Sequence, residues 1–257
     1  MLTLEEKLKG EITCFQGRIG IAVEIANKRI SLNSMEVFPS ASVIKVPILI
    51  EGLRQAETGK INLNELTTID KRVGGSGVLQ ALSAKVSMTI KDLMTLMITV
   101  SDNTTTNLLI DLLGMDSINS TIEKLSMEHT KLSRKMMDFE AIEQGYNNFT
   151  SPSDMIKCLK VINEGDFLSE ESRKLAVEIM HYQQFHDKLT AMMDLDLVFA
   201  ASKTGGLPNV EHDCAILKYG GKTAYAVVLT DQLDNHFAAK HLISKIGKHL
   251  YDHLVEE

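Results

Sequence analysis

A mixed α/β (α+β) fold is what this sequence predicts, with an antiparallel sheet formed from both chain ends, flanking helices, and an all-helical lobe inserted between them. Three observations carry that expectation. Strand-like alternation occurs near the start and again late in the chain; the long middle reads as successive helices with start signals; and the last twenty residues carry an apolar stripe at helical spacing. The 257 residues, 44% hydrophobic and 24% charged, suffice for a sizeable core.

In chain order, "MLTLEEKLKGEITCF" is an amphipathic stretch of mixed charge. Residues 18 to 33, "RIGIAVEIANKRISLN", alternate and are rich in β-branched side chains around an "ANKR" turn, which predicts a β-hairpin. From Ser40 to about Gln184 helical patterns follow one another. Thr89 with Asp92 resembles a capping box ahead of "IKDLMTLMI", Asp116 precedes "SINSTIEKLSM", Ser151 with Pro152 opens "SDMIKCLKVIN", and Gly114 suits a helix end. Three strands then follow: "LVFAASKTG" from 197, "CAILKYG" from 214 and "TAYAVVLTD" from 223, the last two joined by "GGK". A helix from Asn235 to Val255 presents Leu242, Ile246, Leu250 and Leu254 to the sheet. The expected division is an α/β lobe of residues 1–39 and 185–257 and a helical lobe of residues 40–184, with the active site in the cleft between them.

A net charge of -7 and the lack of a long Lys/Arg run argue against nucleic acid or an anionic membrane as partner. No window approaches the ~18 apolar residues of a membrane span, and no signal-peptide core is seen. Cys14, Cys158 and Cys214 are odd in number and far apart, which fits neither a disulfide framework nor a zinc site. A cytoplasmic location is expected on these grounds, although an exported mature form with a new initiator Met would look the same. A monomer is expected.

The chemistry begins at "PSASVIKVPIL". Ser42 and Lys45, three apart at a helix start, share a face, so the ammonium can reach the hydroxyl. With Ser40 as N-cap, the Ser42 N–H lacks an intrahelical partner and can donate to an oxyanion. Lys serves as base only if burial or a second cation lowers its pKa. Pro47, read as lying inside the helix, would kink it beside the nucleophile, as strain or merely as better packing. In "TVSDNTTTNLL", Ser101, Asp102 and Asn103 interrupt two helical runs; as structure they make a corner, as chemistry a hydroxyl proton relay and an amide. "ASKTGGLP" sets Lys203 and Thr204 at a strand end before Gly205 and Gly206, where backbone can approach a ligand. Each motif alone is weak. Finding all three in this order by chance is on the order of one in a hundred or less.

Ser-x-x-Lys, Ser-Asp-Asn and Lys-Thr-Gly in that order resemble the motif set of class A β-lactamases and penicillin-binding proteins, and the likeness runs from about residue 15 to the C-terminus. The resemblance implies that Ser42 is acylated, Lys45 activates it, Ser101 relays a proton to the leaving nitrogen, and Asn103 holds the substrate's amide side chain. Lys203 and Thr204 would bind the substrate carboxylate beside Gly205, with the N–H groups of Ser42 and Gly206 as the oxyanion hole. It further implies a small-molecule substrate, a β-lactam or a related carboxylate-bearing amide or ester, and no cofactor.

The sequence departs from that family at one place. The family's Arg-x-Glu-x-x-Leu-Asn stretch, whose Glu activates the deacylating water, aligns through Arg134 with Met136 at the Glu. Asp138 and Glu140 are the candidate replacement bases; their alternative is a salt bridge to Arg134. Without a base, acylation is kept and deacylation loses ~10² to 10⁴ in rate. The expected function is therefore a β-lactamase-like serine hydrolase with slow deacylation. The alternatives are a penicillin-binding D-Ala peptidase or esterase, and a non-catalytic binder of β-lactams or peptidoglycan fragments. The remaining signals are set aside: His249 and His253 lack a third ligand, so no metal is expected; the thirteen Met residues read as core filler; and "GGSGVLQ" at 74–80 reads as a loop over the cleft.

Overall fold

The computed structural model describes residues 2–26 and 28–256. Helix α1 (Leu4–Ile12) leads into the hairpin β1 (Arg18–Ile25) and β2 (Lys28–Leu32), whose register pairs Val23 with Ile30. The turn between them includes Asn27, which lies outside the described residues. Next come β3 (Phe38–Pro39), a 3₁₀ turn (Ala41–Ile44), α2 (Lys45–Glu57), β4 (Leu66–Thr68), β5 (Ser87–Thr89), α3 (Ile90–Thr99), α4 (Asn103–Leu113), α5 (Met115–Lys124) and α6 (Phe139–Glu143). After β6 (Phe149–Thr150), α7 (Pro152–Asn163) and α8 (Glu170–His181), the chain closes with β7 (Phe199–Leu207), β8 (Val210–Tyr219), β9 (Lys222–Asp231) and α9 (His236–Glu256).

The five-stranded sheet has the order β2-β1-β9-β8-β7, every pairing antiparallel. Period-two alternation buries both faces. On one side Ile21, Val23, Ala226 and Val228 pack with Leu8 of α1 and Leu242, Ile246, Leu250 and Leu254 of α9. On the other, Cys214, Ile216, Val227 and Leu229 join a core shared with α2, α3, α4, α7 and α8. The sheet is thus the floor on which the inserted helices rest, with β2 and β7 as its two edge strands.

Local signals explain the helix starts. Thr89 Oγ1 accepts from Asp92 N–H (3.1 Å) and Asp92 returns the bond to Thr89 N–H (3.3 Å), completing the capping box. Ser151 caps α7, accepting from Asp154 N–H (3.2 Å), with Pro152 next in the first turn.

Four expectations are corrected. The middle of the chain is not wholly helical, because β3 pairs with β6 and β4 with β5; strands of two or three residues are too short to show a period. Helix α5 starts at Met115, with Gly114 (φ 83) at the junction and Asp116 inside the first turn rather than at the cap. Ser40 does stand at the N-cap, but of a 3₁₀ turn rather than of the α-helix, and its side chain makes no capping bond. Pro47 falls in the first turn of α2, where its missing N–H has no intrahelical partner to lose, so it does not kink the helix. The strain beside Ser42 lies instead at Ala41, held at φ 44, a left-handed conformation that costs a β-carbon residue about 1–3 kcal/mol.

Candidate active site

Three segments converge at the end of β7. The 3₁₀ turn carries Ser42; the corner between α3 and α4 carries Ser101, Asp102 and Asn103; β7 carries Lys203 to Gly206. The corner is built by its own residues. Ser101 takes φ 55, which reverses the chain, and Asp102 caps α4 through Thr105 N–H (3.0 Å). The other Asp102 oxygen accepts Leu79 N–H at 2.9 Å, tying down the glycine-rich loop. Gly77 in that loop has φ 115, and a β-carbon there would stand 2.2 Å from Asp102 Oδ2, so the close approach needs glycine.

Lys45 and Lys203, both fully buried, meet at one hydroxyl. Lys45 Nζ donates to Ser101 O (2.7 Å), Ser101 Oγ (3.1 Å) and Asn103 Oδ1 (3.0 Å). Lys203 Nζ reaches Ser101 Oγ (3.1 Å) and Thr204 O (2.7 Å). Two ammonium groups so close and so dry cannot both keep a proton at no cost. Burial first, and then the Lys203 charge, holds Lys45 well below the ordinary lysine range. Burial is also the main cause that brings Lys203 down to about 7.

Ser42 is half-buried and lines a cavity of about 180 Å³ with Asn103, Gly206, Ser76, Met136 and Met137. The direct bond expected from Lys45 to Ser42 is not formed, because the three donors of Lys45 are drawn to Ser101 and Asn103. Thr204 and Gly205 are buried within β7. Gly205 backs onto the nucleophile turn, and a β-carbon on it would come within 3.2 Å of Ser42 N and of Ala41 Cβ.

The far wall differs in kind. Asn107 grips the backbone of Met136 twice, its Oδ1 accepting Met136 N–H (2.7 Å) and its Nδ2 donating to Met136 O (3.0 Å), which fixes an apolar side chain at the cavity. Asp138 is half-buried and caps α6, accepting Ala141 N–H at 3.0 Å; Glu140 is exposed and bonds Gln144 at 3.4 Å. Neither lines the cavity, and neither forms the salt bridge to Arg134 that was the alternative. Arg134 instead donates to Asn147 Oδ1 (3.1 Å) and Lys135 O (2.9 Å), while the Asp138 charge acts on it only through space.

Sequence reasoning missed several supports. Asn107 closes the polar run "NTTTN" at the start of α4, and nothing local marks it out from its neighbours. Asn148 joins the wall to the nucleophile turn: its side chain accepts Ser133 N–H (2.7 Å) and Arg134 N–H (3.0 Å), and its carbonyl accepts Ser40 N–H (2.8 Å). "VEHDC" places charged groups in a strand interior. Glu211 there pairs with Lys188 at 2.5 Å, both almost wholly buried. Asp213, opposite Thr204, is pushed up to about 7 by burial against the pull of Lys188.

Comparison with known proteins bears on the family and the fold. A model described as the beta-lactamase enzyme family matches residues 3–254. A beta-lactamase of Bacteroides uniformis is 25% identical over 274 residues, covering 98% of this chain and 91% of the relative. Among solved structures, a beta-lactamase from Sphaerobacter thermophilus DSM 20745 superposes with a TM-score of 0.91 at 28% identity, covering 99% of this chain and 97% of that one. PBP-A shares the fold, with a TM-score of 0.89 at 24% identity over 99% of this chain and 96% of its own.

Proposed function

The chain belongs to the beta-lactamase enzyme family, and from that premise we propose that it is a serine hydrolase that takes a β-lactam onto Ser42 quickly and releases it slowly. The observation that carries this reading is the convergence of two buried lysines on Ser101 Oγ beside the Ser42 cavity. Ser42 and Gly206 line that cavity with the lysine pair behind it, which supports acylation, and among the described residues no carboxylate lines it to activate water afterwards.

In acylation, Ser42 Oγ attacks the lactam carbonyl, whose oxygen is received by the N–H groups of Ser42 and Gly206. Lys45, its proton affinity lowered by burial and by Lys203, accepts the proton of Ser42 once that hydroxyl turns toward it. Ser101 Oγ, within 3.1 Å of both ammonium groups, passes a proton to the departing nitrogen and is reprotonated from the lysine side. Lys203 in its charged form, with Thr204, holds the substrate carboxylate, and Asn103 holds the acyl side chain's amide. Deacylation then needs a base for water. Met136 supplies none, so that step forfeits ~10² to 10⁴ in rate.

Mass spectrometry after incubation with a penicillin tests the proposal. The expected result is one adduct mass on Ser42, absent in Ser42→Ala, persisting long after free drug is removed. No adduct overturns the reading; an adduct that vanishes as fast as it forms overturns its slow half.

A further inference from the structure

His212 takes no part in the chemistry just described, yet it is fully buried on β8, in register with Gly205. Its Nε2 stands 2.7 Å from the carbonyl oxygen of Pro39. Pro39 ends β3, three positions ahead of Ser42. The intervening turn is in a conformation it would not keep unaided: Ala41 sits at φ 44, and Ser40 contributes no side-chain cap. Its tethers are backbone bonds from Ser40 N–H to Asn148 O (2.8 Å) and from Val43 N–H to Ser40 O (3.1 Å), together with the imidazole.

The ring is itself held in one orientation. Nδ1 lies between Thr230 N–H (3.1 Å) and the carbonyl oxygen of Glu211 (2.9 Å); that carbonyl already accepts Thr230 Oγ1 (2.6 Å), whereas Thr230 N–H can use only the Nδ1 lone pair, which leaves the proton on Nε2, facing Pro39. Burial, which pushes this histidine down to about 4, keeps the ring neutral near pH 7. Phe38 and the imidazole make a T-shaped contact with ring centroids 6.4 Å apart. Lys188 donates to the carbonyls of both Gly205 (2.6 Å) and His212 (3.1 Å), locking the β7–β8 pair to which the imidazole belongs. The imidazole is thus a rigid strut between the sheet and the turn.

We propose that His212 is a positioning residue for the nucleophile: by gripping the Pro39 carbonyl it fixes the Ser42 hydroxyl and N–H relative to Gly206 at the end of β7. The proposal rests on the reading of Ser42 as nucleophile. Small displacements of a reacting group cost large factors in rate, whereas binding of the intact lactam by Lys203 and Thr204 does not depend on this strut.

The test compares acylation rate constants, normalised to folded protein by circular dichroism, for the unmutated protein and three variants. In His212→Leu the donor is lost, and acylation should slow by about tenfold or more with the half-saturating β-lactam concentration little changed. His212→Gln places an amide N–H the same number of bonds from Cβ and should recover most of the rate; His212→Asn falls one atom short and should not. Equal acylation in His212→Leu and the unmutated protein overturns the positioning role alone. So does His212→Gln falling as far as His212→Leu. Should His212→Leu fail to fold, Gln against Asn decides, equal rates overturning the role. Absence of any Ser42 adduct in the unmutated protein overturns the nucleophile assignment, and this inference with it.

Discussion

The two walls of the cavity are made of different material. Behind one side Lys45, Ser101, Asn103 and Lys203 form a dry polar cluster that reaches the cavity through Asn103; Lys45 makes three hydrogen bonds and Lys203 two, inside a rigid frame of helix, corner and strand. On the other, the segment from Arg134 to Glu140 presents Met136 and Met137 to the cavity and spends its carboxylates elsewhere. Low dielectric on the first side makes each charge count for more, and burial lowers the proton affinity of both lysines. Among the described residues the second side brings no carboxylate to the cavity. On the proposed reading, one half-reaction is equipped and the other is not, within a single pocket.

Replacing a group on the equipped side should have the largest effect. Lys45→Met is expected to slow acylation by about 10² to 10⁴, as removal of a general base does, read as the rate of adduct formation under excess β-lactam. An acylation rate within a few-fold of the unmutated protein would mean that the polar wall is not the reactive one. Supplying a carboxylate to the other wall should come next. Met136→Glu is expected to shorten the adduct lifetime by about 10² while the acylation rate changes little, and to lower the melting temperature because that position is buried. An unchanged lifetime would break the contrast between the walls.

A pH profile sharpens the same contrast at moderate size. Lys203 is lowered to about 7, so below that pH it is an ammonium that can hold a substrate carboxylate, and above it the charge is lost. For a carboxylate-bearing β-lactam, kcat/KM should fall as pH rises through about 7, by at most about tenfold per unit; its methyl ester should show a flatter profile. The smallest effects belong to the two carboxylates of the apolar wall. Asp138→Asn and Glu140→Gln should leave the adduct lifetime unchanged, while Asp138→Ala should cost about 1 kcal/mol in a denaturant melt through loss of the α6 cap. A tenfold longer lifetime in either would make that residue the missing base.

Much of this was legible in the chain and some was not. The hairpin of residues 18–32 and the strands from 199 to 231 announce themselves through alternation, because each face of the sheet is buried and period two is enforced. Thr89 and Ser151 declare their helices because a cap is a local bond within four residues. Ser42, Lys45, Ser101 and Lys203 could be chosen by spacing and order; Lys45 and Lys203 both bond Ser101, and Ser42 lines the adjoining cavity. Pro47 was misread because its effect depends on where the helix begins, and that is set by the 3₁₀ turn and the tertiary contacts that hold it. The strand pair of Phe38–Pro39 with Phe149–Thr150 left no trace, since two residues carry no period.

By itself the sequence determined which elements form and which side chains are chemically able to act, because propensity, capping and burial patterns are written in neighbouring residues. Only the tertiary structure decided that Lys45 and Lys203 share one serine hydroxyl, that Asp138 caps a helix instead of facing the cavity, and that His212 meets Pro39. Those outcomes join positions up to 173 residues apart. The field, the desolvation and the hydrogen bonds that set their chemistry arise when the sheet and the inserted helices pack, and short-range pattern holds no record of them.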